Sequence, residues 1–373
     1  MRLPLTLIFL STFLPLAAAS DGFAGNNEAA AVNTAGYESR AGAILGTWRP
    51  ARPAYTPESM ARAAKRFLLM LNDAQRRAAH YDLKSPERTR WTNAPDRGEV
   101  GGIALGDLDG AQLRAFSDLL AAVLSEKGYY KIRDVMLGDD LRAVIGGKPN
   151  PGVGIEAFRF AVFGDPSATS RWAVQLDGHH VALNITLDGE AWYMSPSFIG
   201  TFPQGFSVAG AKLRPLGAET DLAFYFVNSL TPEQRALAVI GERRGAMRAG
   251  AGRDGVRPEP LGMRCDALDE AQREKLLALA SQWFELMPPR HARARRERFS
   301  EAIGETWFSW SGPLAAGSDV SWVIQGPSVI MEYANDARGG GSGGNAADHV
   351  HTIYRDINRE YGGGFISRPR SDR

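Results

Sequence analysis

Hydrophobic and polar positions follow two periods along this chain, and the two take turns. Behind Thr56-Pro57-Glu58, which supplies an N-cap, a first-turn proline and an early acid, Met60, Phe67, Leu68 and Leu71 recur at helical spacing. Four more helix starts share one local pattern, a leucine, a cap residue and then a glutamine three positions after the cap. They are Asn72-Asp73-Ala74-Gln75, Asp109-Gly110-Ala111-Gln112, Thr231-Pro232-Glu233-Gln234 and Asp269-Glu270-Ala271-Gln272. Each reads as a capping box, in which cap and glutamine satisfy each other's backbone N–H. Strand-like segments follow at Phe160–Gly164, Trp172–Leu176 and His179–Leu187, and again at Phe308–Gly312, Trp322–Gln325 and Ser328–Tyr333.

The order of these signals repeats. The first and third boxes, and the second and fourth, stand about 160 residues apart, and Arg97, Glu99 and Gly102 keep that offset to Arg257, Glu259 and Gly262. After the second box come two helical stretches to Val144 and then strands. After the fourth come a helix ending near Met287-Pro288-Pro289, an arginine-rich helix to about Ile303, and strands again. The pattern predicts an α+β fold, with helices packed on an antiparallel sheet. It suggests an internal duplication, with halves at 56–205 and 220–366 inside one functional unit spanning 46–366.

Residues 20–45, rich in Ala, Gly, Asn and Ser without apolar periodicity, read as a disordered spacer. Ahead of them, Met1-Arg2, the apolar run Leu3–Leu16 and Ala17-Ala18-Ala19 read as a signal peptide over 1–19. The expected destination is outside the cytoplasm, periplasmic or secreted, with no membrane anchor after cleavage. With 43 basic and 42 acidic side chains, charge gives no argument for nucleic acid as a partner. The basic run Arg290–Arg298 reads as a solvated helix face. Cys265, the single cysteine, cannot form an intrachain disulfide and is expected as a small buried apolar residue.

Candidate chemistry comes from the histidines. Four of six sit in two pairs, His179-His180 and His349-Val350-His351. Asp177-Gly178 is the dipeptide of a two-residue hairpin turn, so the strand beginning at His179 would send His179 and His180 to opposite faces. His180, sharing a face with Asn184, is the candidate of that pair. His349 and His351, two apart on a strand, would present both rings to one ligand, as a divalent metal requires. Glu332 is an acid inside the apolar run Ser328–Tyr333, and burial would demand a partner for it. Gly339–Gly344 is a glycine-rich loop, read as an insertion rather than a lid.

One expectation is a metal-dependent enzyme, a hydrolase or oxidoreductase, holding zinc, iron or copper on His180, His349, His351 and Glu332. Arg355 and Asp356 would then orient ligands or hold a small-molecule substrate. A second is a metal-free pocket with a histidine general base and Arg88 or Arg355 holding an anionic substrate. A third is a non-catalytic periplasmic binding or scaffold module in which the histidines only complete hydrogen bonds.

The ordered set Glu87-Arg88-Thr89-Arg90-Trp91, Phe163-Gly164-Asp165-Pro166, Gly178-His179-His180-Val181-Ala182-Leu183-Asn184, Pro196-Ser197-Phe198-Ile199-Gly200 and His349-Val350-His351-Thr352-Ile353-Tyr354-Arg355-Asp356 resembles the family catalogued as domain of unknown function 3500. The resemblance runs from about Trp48 to Gly364. It implies one functional unit and carries no activity with it.

Overall fold

A computed structural model describes residues 32–33, 38–95, 98–144, 152–243, 245–336 and 348–364. The expected signal peptide, most of the expected spacer and the glycine-rich loop lie outside these residues. The spacer expected through residue 45 gives way earlier to helix α1 (Arg40–Thr47). Ser39 caps α1 by accepting from the Gly42 N–H, and Ala41 and Leu45 are buried. Small side chains pack this helix closely, which is why composition alone read the segment as disordered.

After α1 and the short strand β1 (Val32–Asn33), the first half runs α2 (Pro57–Met70), α3 (Asp73–Ala79), β2 (His80–Tyr81), β3 (Ile103–Ala104), α4 (Gly110–Val123) and α5 (Glu126–Val144). The strands β4 (Arg159–Phe163), β5 (Trp172–Gly178), β6 (Val181–Asp188) and β7 (Ala191–Thr201) complete it. β8 (Phe206–Val208) and β9 (Ala211–Leu213) form a small sheet with β1. The second half repeats the order: α6 (Gly217–Asn228), α7 (Pro232–Ala238), β10 (Val239–Gly241), β11 (Met263–Arg264), α8 (Glu270–Phe284), α9 (Pro289–Glu301), β12 (Trp307–Ser311), β13 (Ser321–Gln325), β14 (Val329–Asp336) and β15 (His349–Asp356).

Among the described residues the halves share one mixed, mostly antiparallel sheet of 12 strands. Its path is β10-β12-β13-β14-β15-β7-β6-β5-β4-β2, with β11 on β12 and β3 on β4. This order reads the same from both ends once each strand is exchanged for its counterpart, so β7 and β15 form the seam. Both outermost pairings, β2 with β4 and β10 with β12, are parallel. Alternation along the strands gives the sheet two apolar faces. Phe160, Val162, Trp310, Trp322 and Tyr354 join the core with Phe67, Phe116 and Trp283 of the helices. Ala182, Phe198, Ile330 and Ile353 point the other way, under Trp91, Ala249 and Tyr361 from the connecting segments. Among the described residues, no helix is long and apolar enough to cross a membrane.

All four glutamine boxes form as expected, and they do more than cap. In the first half, Gln112 accepts from the Asp109 N–H (2.8 Å) and donates to the Met70 carbonyl (2.9 Å), and its amide meets that of Gln75. In the second half, Gln272 accepts from the Asp269 N–H (3.1 Å) and donates to the Ser229 carbonyl (2.9 Å), and its amide meets that of Gln234. Gln75 donates to the Asp107 carbonyl and Gln234 to that of Ala267. Each pair thus ties two helix starts and a preceding turn together. Cys265 is fully buried, as expected, and burial pushes its thiol up to about 12. The arginine-rich helix α9 is not wholly solvated, because Arg295 is drawn in to pair with Asp356.

Gln112→Ala and Gln272→Ala should each lower stability by about 1–3 kcal/mol in urea unfolding, because each strands buried polar groups. A loss confined to one half would contradict their equivalent roles.

Candidate functional site

The β5–β6 hairpin differs from its expected form. Asp177 and Gly178 are strand residues, paired with Ala182 and Val181, and His179-His180 is the turn. Gly178 answers a packing need instead, since a Cβ there would lie 2.5 Å from the Phe158 ring. His180 takes a φ of 70°, a left-handed conformation that costs a residue with a side chain on the order of 1 kcal/mol or more. With both histidines off the ladder, the expected divergence to opposite faces does not occur. Nδ1 of His179 bonds Oδ1 of Asp139, and Nδ1 of His180 lies 3.2 Å from the same oxygen.

His349 and His351 lie on strand β15, and their shared face is the expected one. His351 pairs with Ala334 on one side and Gly200 on the other. Gly200 makes the space between the two histidine pairs: a Cβ there would sit 2.8 Å from Cδ2 of His180 and 2.9 Å from Cδ2 of His351. In that space Nε2 of His180 meets Nε2 of His349 at 2.8 Å, and the His349 and His351 rings are 4.4 Å apart at their centroids. One ligand atom from each of His180, His349 and His351 lies within 4.8 Å of the other two. Asp139, His179 and His180 form a second group by the same measure. Phe198 packs against His351 and Phe202 against His349.

The electrostatics follow from burial. Desolvation pushes His180 down to about 4, against the opposing effect of Asp139. Desolvation alone would raise Asp139, but hydrogen bonds from His179 and His180 outweigh it and hold the carboxyl below its ordinary value. The Gly154 N–H donates to its other oxygen (3.1 Å). At neutral pH the buried group is therefore a carboxylate beside a neutral His180.

The other candidates are placed elsewhere. Glu332 is buried, but its Oε2 accepts from the N–H groups of Arg248 (2.8 Å) and Ala249 (3.0 Å), and it does not join the histidine group. Burial raises its pKa, and those amides offset part of the rise. Arg88 donates to Thr186 (2.7 Å) with its guanidinium near the rings of Phe163 and Tyr361. Arg355 is paired with Glu360, and Asp356 with Arg295. None of these belongs to either histidine group. Asn184, on the expected face, accepts from Gln175 and donates to the Pro196 carbonyl.

The carboxylate that does reach the histidines, Asp139, is one the sequence reading did not single out. Its signal was present: Asp139-Asp140 interrupts the apolar series Ile132, Val135, Met136, Leu137 and Leu141, and both acids are buried.

Fold and site together define a class, an α+β protein of two repeated halves with a histidine and aspartate cluster at one end of their seam. The chain belongs to the family of proteins of unknown function DUF3500, whose model matches residues 54–363. No curated protein and no solved structure matches it.

Gly200→Ala should crowd His180 and His351 and lower stability by about 1–3 kcal/mol in urea unfolding, the usual cost of overpacking. Unchanged stability would mean that the rings have room to retreat.

Proposed function

We propose that His180, His349 and His351 hold one divalent transition-metal ion through one nitrogen each, with an open coordination position, and that the chain is a metal-dependent hydrolase. The observation that carries this is the gathering of three ring nitrogens within 4.8 Å of one another. Zn–N bonds of ~2.0–2.1 Å set neighbouring ligand nitrogens roughly 3.3 Å apart, so only small adjustments are needed. The donor set suits zinc, copper or iron rather than magnesium or calcium.

The surrounding residues support the same reading. Asp139 bonds Nδ1 of His180 and so leaves Nε2, the nitrogen facing His349, as the ligand atom. Burial keeps His180 neutral at neutral pH, and Gly200 keeps the space clear. When bound, such an ion supplies a Lewis acid that makes water nucleophilic near neutral pH. With this ion alone bound, three neutral ligands leave its charge undiminished, which favours hydrolysis over redox chemistry. Little supports a metal-free pocket built on Arg88 or Arg355, since each is engaged in a buried contact away from the histidines. Export is proposed on the sequence of residues 1–19 alone.

Titration of metal-stripped protein with zinc or cobalt should reveal a tight site that the His349→Ala/His351→Ala double variant lacks. Hydrolysis of an activated ester by the zinc form should disappear in that variant. A wild-type protein that stays metal-free after incubation with zinc, copper and iron sinks the proposal.

A further inference from the structure

His180 stands between two ligand groups and turns a different ring nitrogen to each. Its Nε2 faces His349 at 2.8 Å, while its Nδ1 faces Asp139 at 3.2 Å. The second group, Asp139 Oδ1 with one nitrogen each of His179 and His180, is as compact as the first, all ligand atoms lying within 4.8 Å of one another. We infer that this protein has a second metal site on Asp139, His179 and His180, and that the His180 ring bridges two ions. The inference rests on the site proposed above for the shared ligand only.

Several features make the second group a site rather than a chance contact. Two imidazoles and a carboxylate are a donor set for zinc, copper or iron. Asp139 is almost wholly buried, and its Oδ2 is held by the Gly154 N–H, so Oδ1 alone faces both rings. A carboxylate buried in such a dry place needs a compensating positive charge, which a cation at Oδ1 would supply. His179 is partly exposed, at 16% of its side chain, which gives an ion a way in. The left-handed turn at His180 sets the two rings side by side, 3.7 Å apart at their centroids, and brings both Nδ1 atoms to one oxygen. In the metal-free form protons occupy these positions. Loading both ions releases the one N–H proton of the His180 ring to solvent, and each ring nitrogen then gives its lone pair to a different ion. With metal–nitrogen bonds of ~2.0 Å on either side of the ring, the ions would stand about 6 Å apart.

The test uses the full mature chain loaded with copper(II), and with copper and zinc together. Two ions should bind per chain. Bridging through one ring couples the two copper spins antiferromagnetically, so the di-copper form should show only a small fraction of its copper by electron paramagnetic resonance, whereas a copper–zinc hybrid should show all of its copper. In titrations, His179→Ala should remove one site and keep the other, and His349→Ala/His351→Ala should do the reverse. Two bound but uncoupled copper ions would overturn the bridge. A single site, lost in the His349/His351 double variant and untouched by His179→Ala, would overturn the second site and leave the first standing. A single site lost only with His179→Ala would instead overturn the first reading. The resonance measurement needs only wild-type protein, so a variant that fails to fold does not remove the test.

Discussion

The pairing of β7 with β15 is the contact on which the rest of the molecule depends. Five residue pairs, from Val350 with Thr201 to Tyr354 with Ser197, join the last strand of each half. Without them the chain would be two sheets, each with an exposed inner edge of the kind that invites mispairing. Their register also gathers the histidines, because it sets Gly200 beside His351 and leaves His180, at the neighbouring turn, facing His349. A slip of one residue would turn every β15 side chain to the opposite face and send His349 and His351 into the helical core.

A seam between repeated halves has two corresponding ends, yet only one carries the histidines. The backbone is conserved between them: the Gly200 N–H donates to the His180 carbonyl at one end, as the Ile357 N–H donates to that of Ser328 at the other. The side chains are not. The turn after Gly178 is His179-His180, whereas the turn after Gly326 is Pro327-Ser328. The ladder positions matching His351 and His349, which pair with Ala334 and Asp336, are Tyr193 and Ala191, which pair with Thr186 and Asp188. At that second end the buried Asp356 meets the cation Arg295. One end thus pairs its buried carboxylate with a permanent cation, and the other gathers the His179 and His180 rings around one.

Particular residues show where sequence reasoning succeeds. The glutamine boxes were legible because cap and glutamine are three residues apart and their geometry is local. The common face of His349 and His351 was legible because strand periodicity fixes it. The turn at His179-His180 was misread because Asp177-Gly178 looks like a turn, while the glycine's real constraint is the Phe158 ring, twenty positions away in sequence and its neighbour only in space. Glu332 and Asp139 were equally visible as acids in apolar surroundings. Which one met the histidines depended on the fold, which sets backbone amides 84 and 83 residues away against Glu332 and an imidazole 40 residues away against Asp139.

By itself, then, the sequence determined most element types, the α+β class and the common face of His349 and His351, since all of these follow from short-range periodicity and from spacing. Only the tertiary structure decided that the halves join through β7 and β15, that Asp139 rather than Glu332 touches the histidines, and that His179 stays with His180. Those outcomes turn on contacts between residues far apart in the chain, chosen by strand register and close packing, which no local pattern encodes.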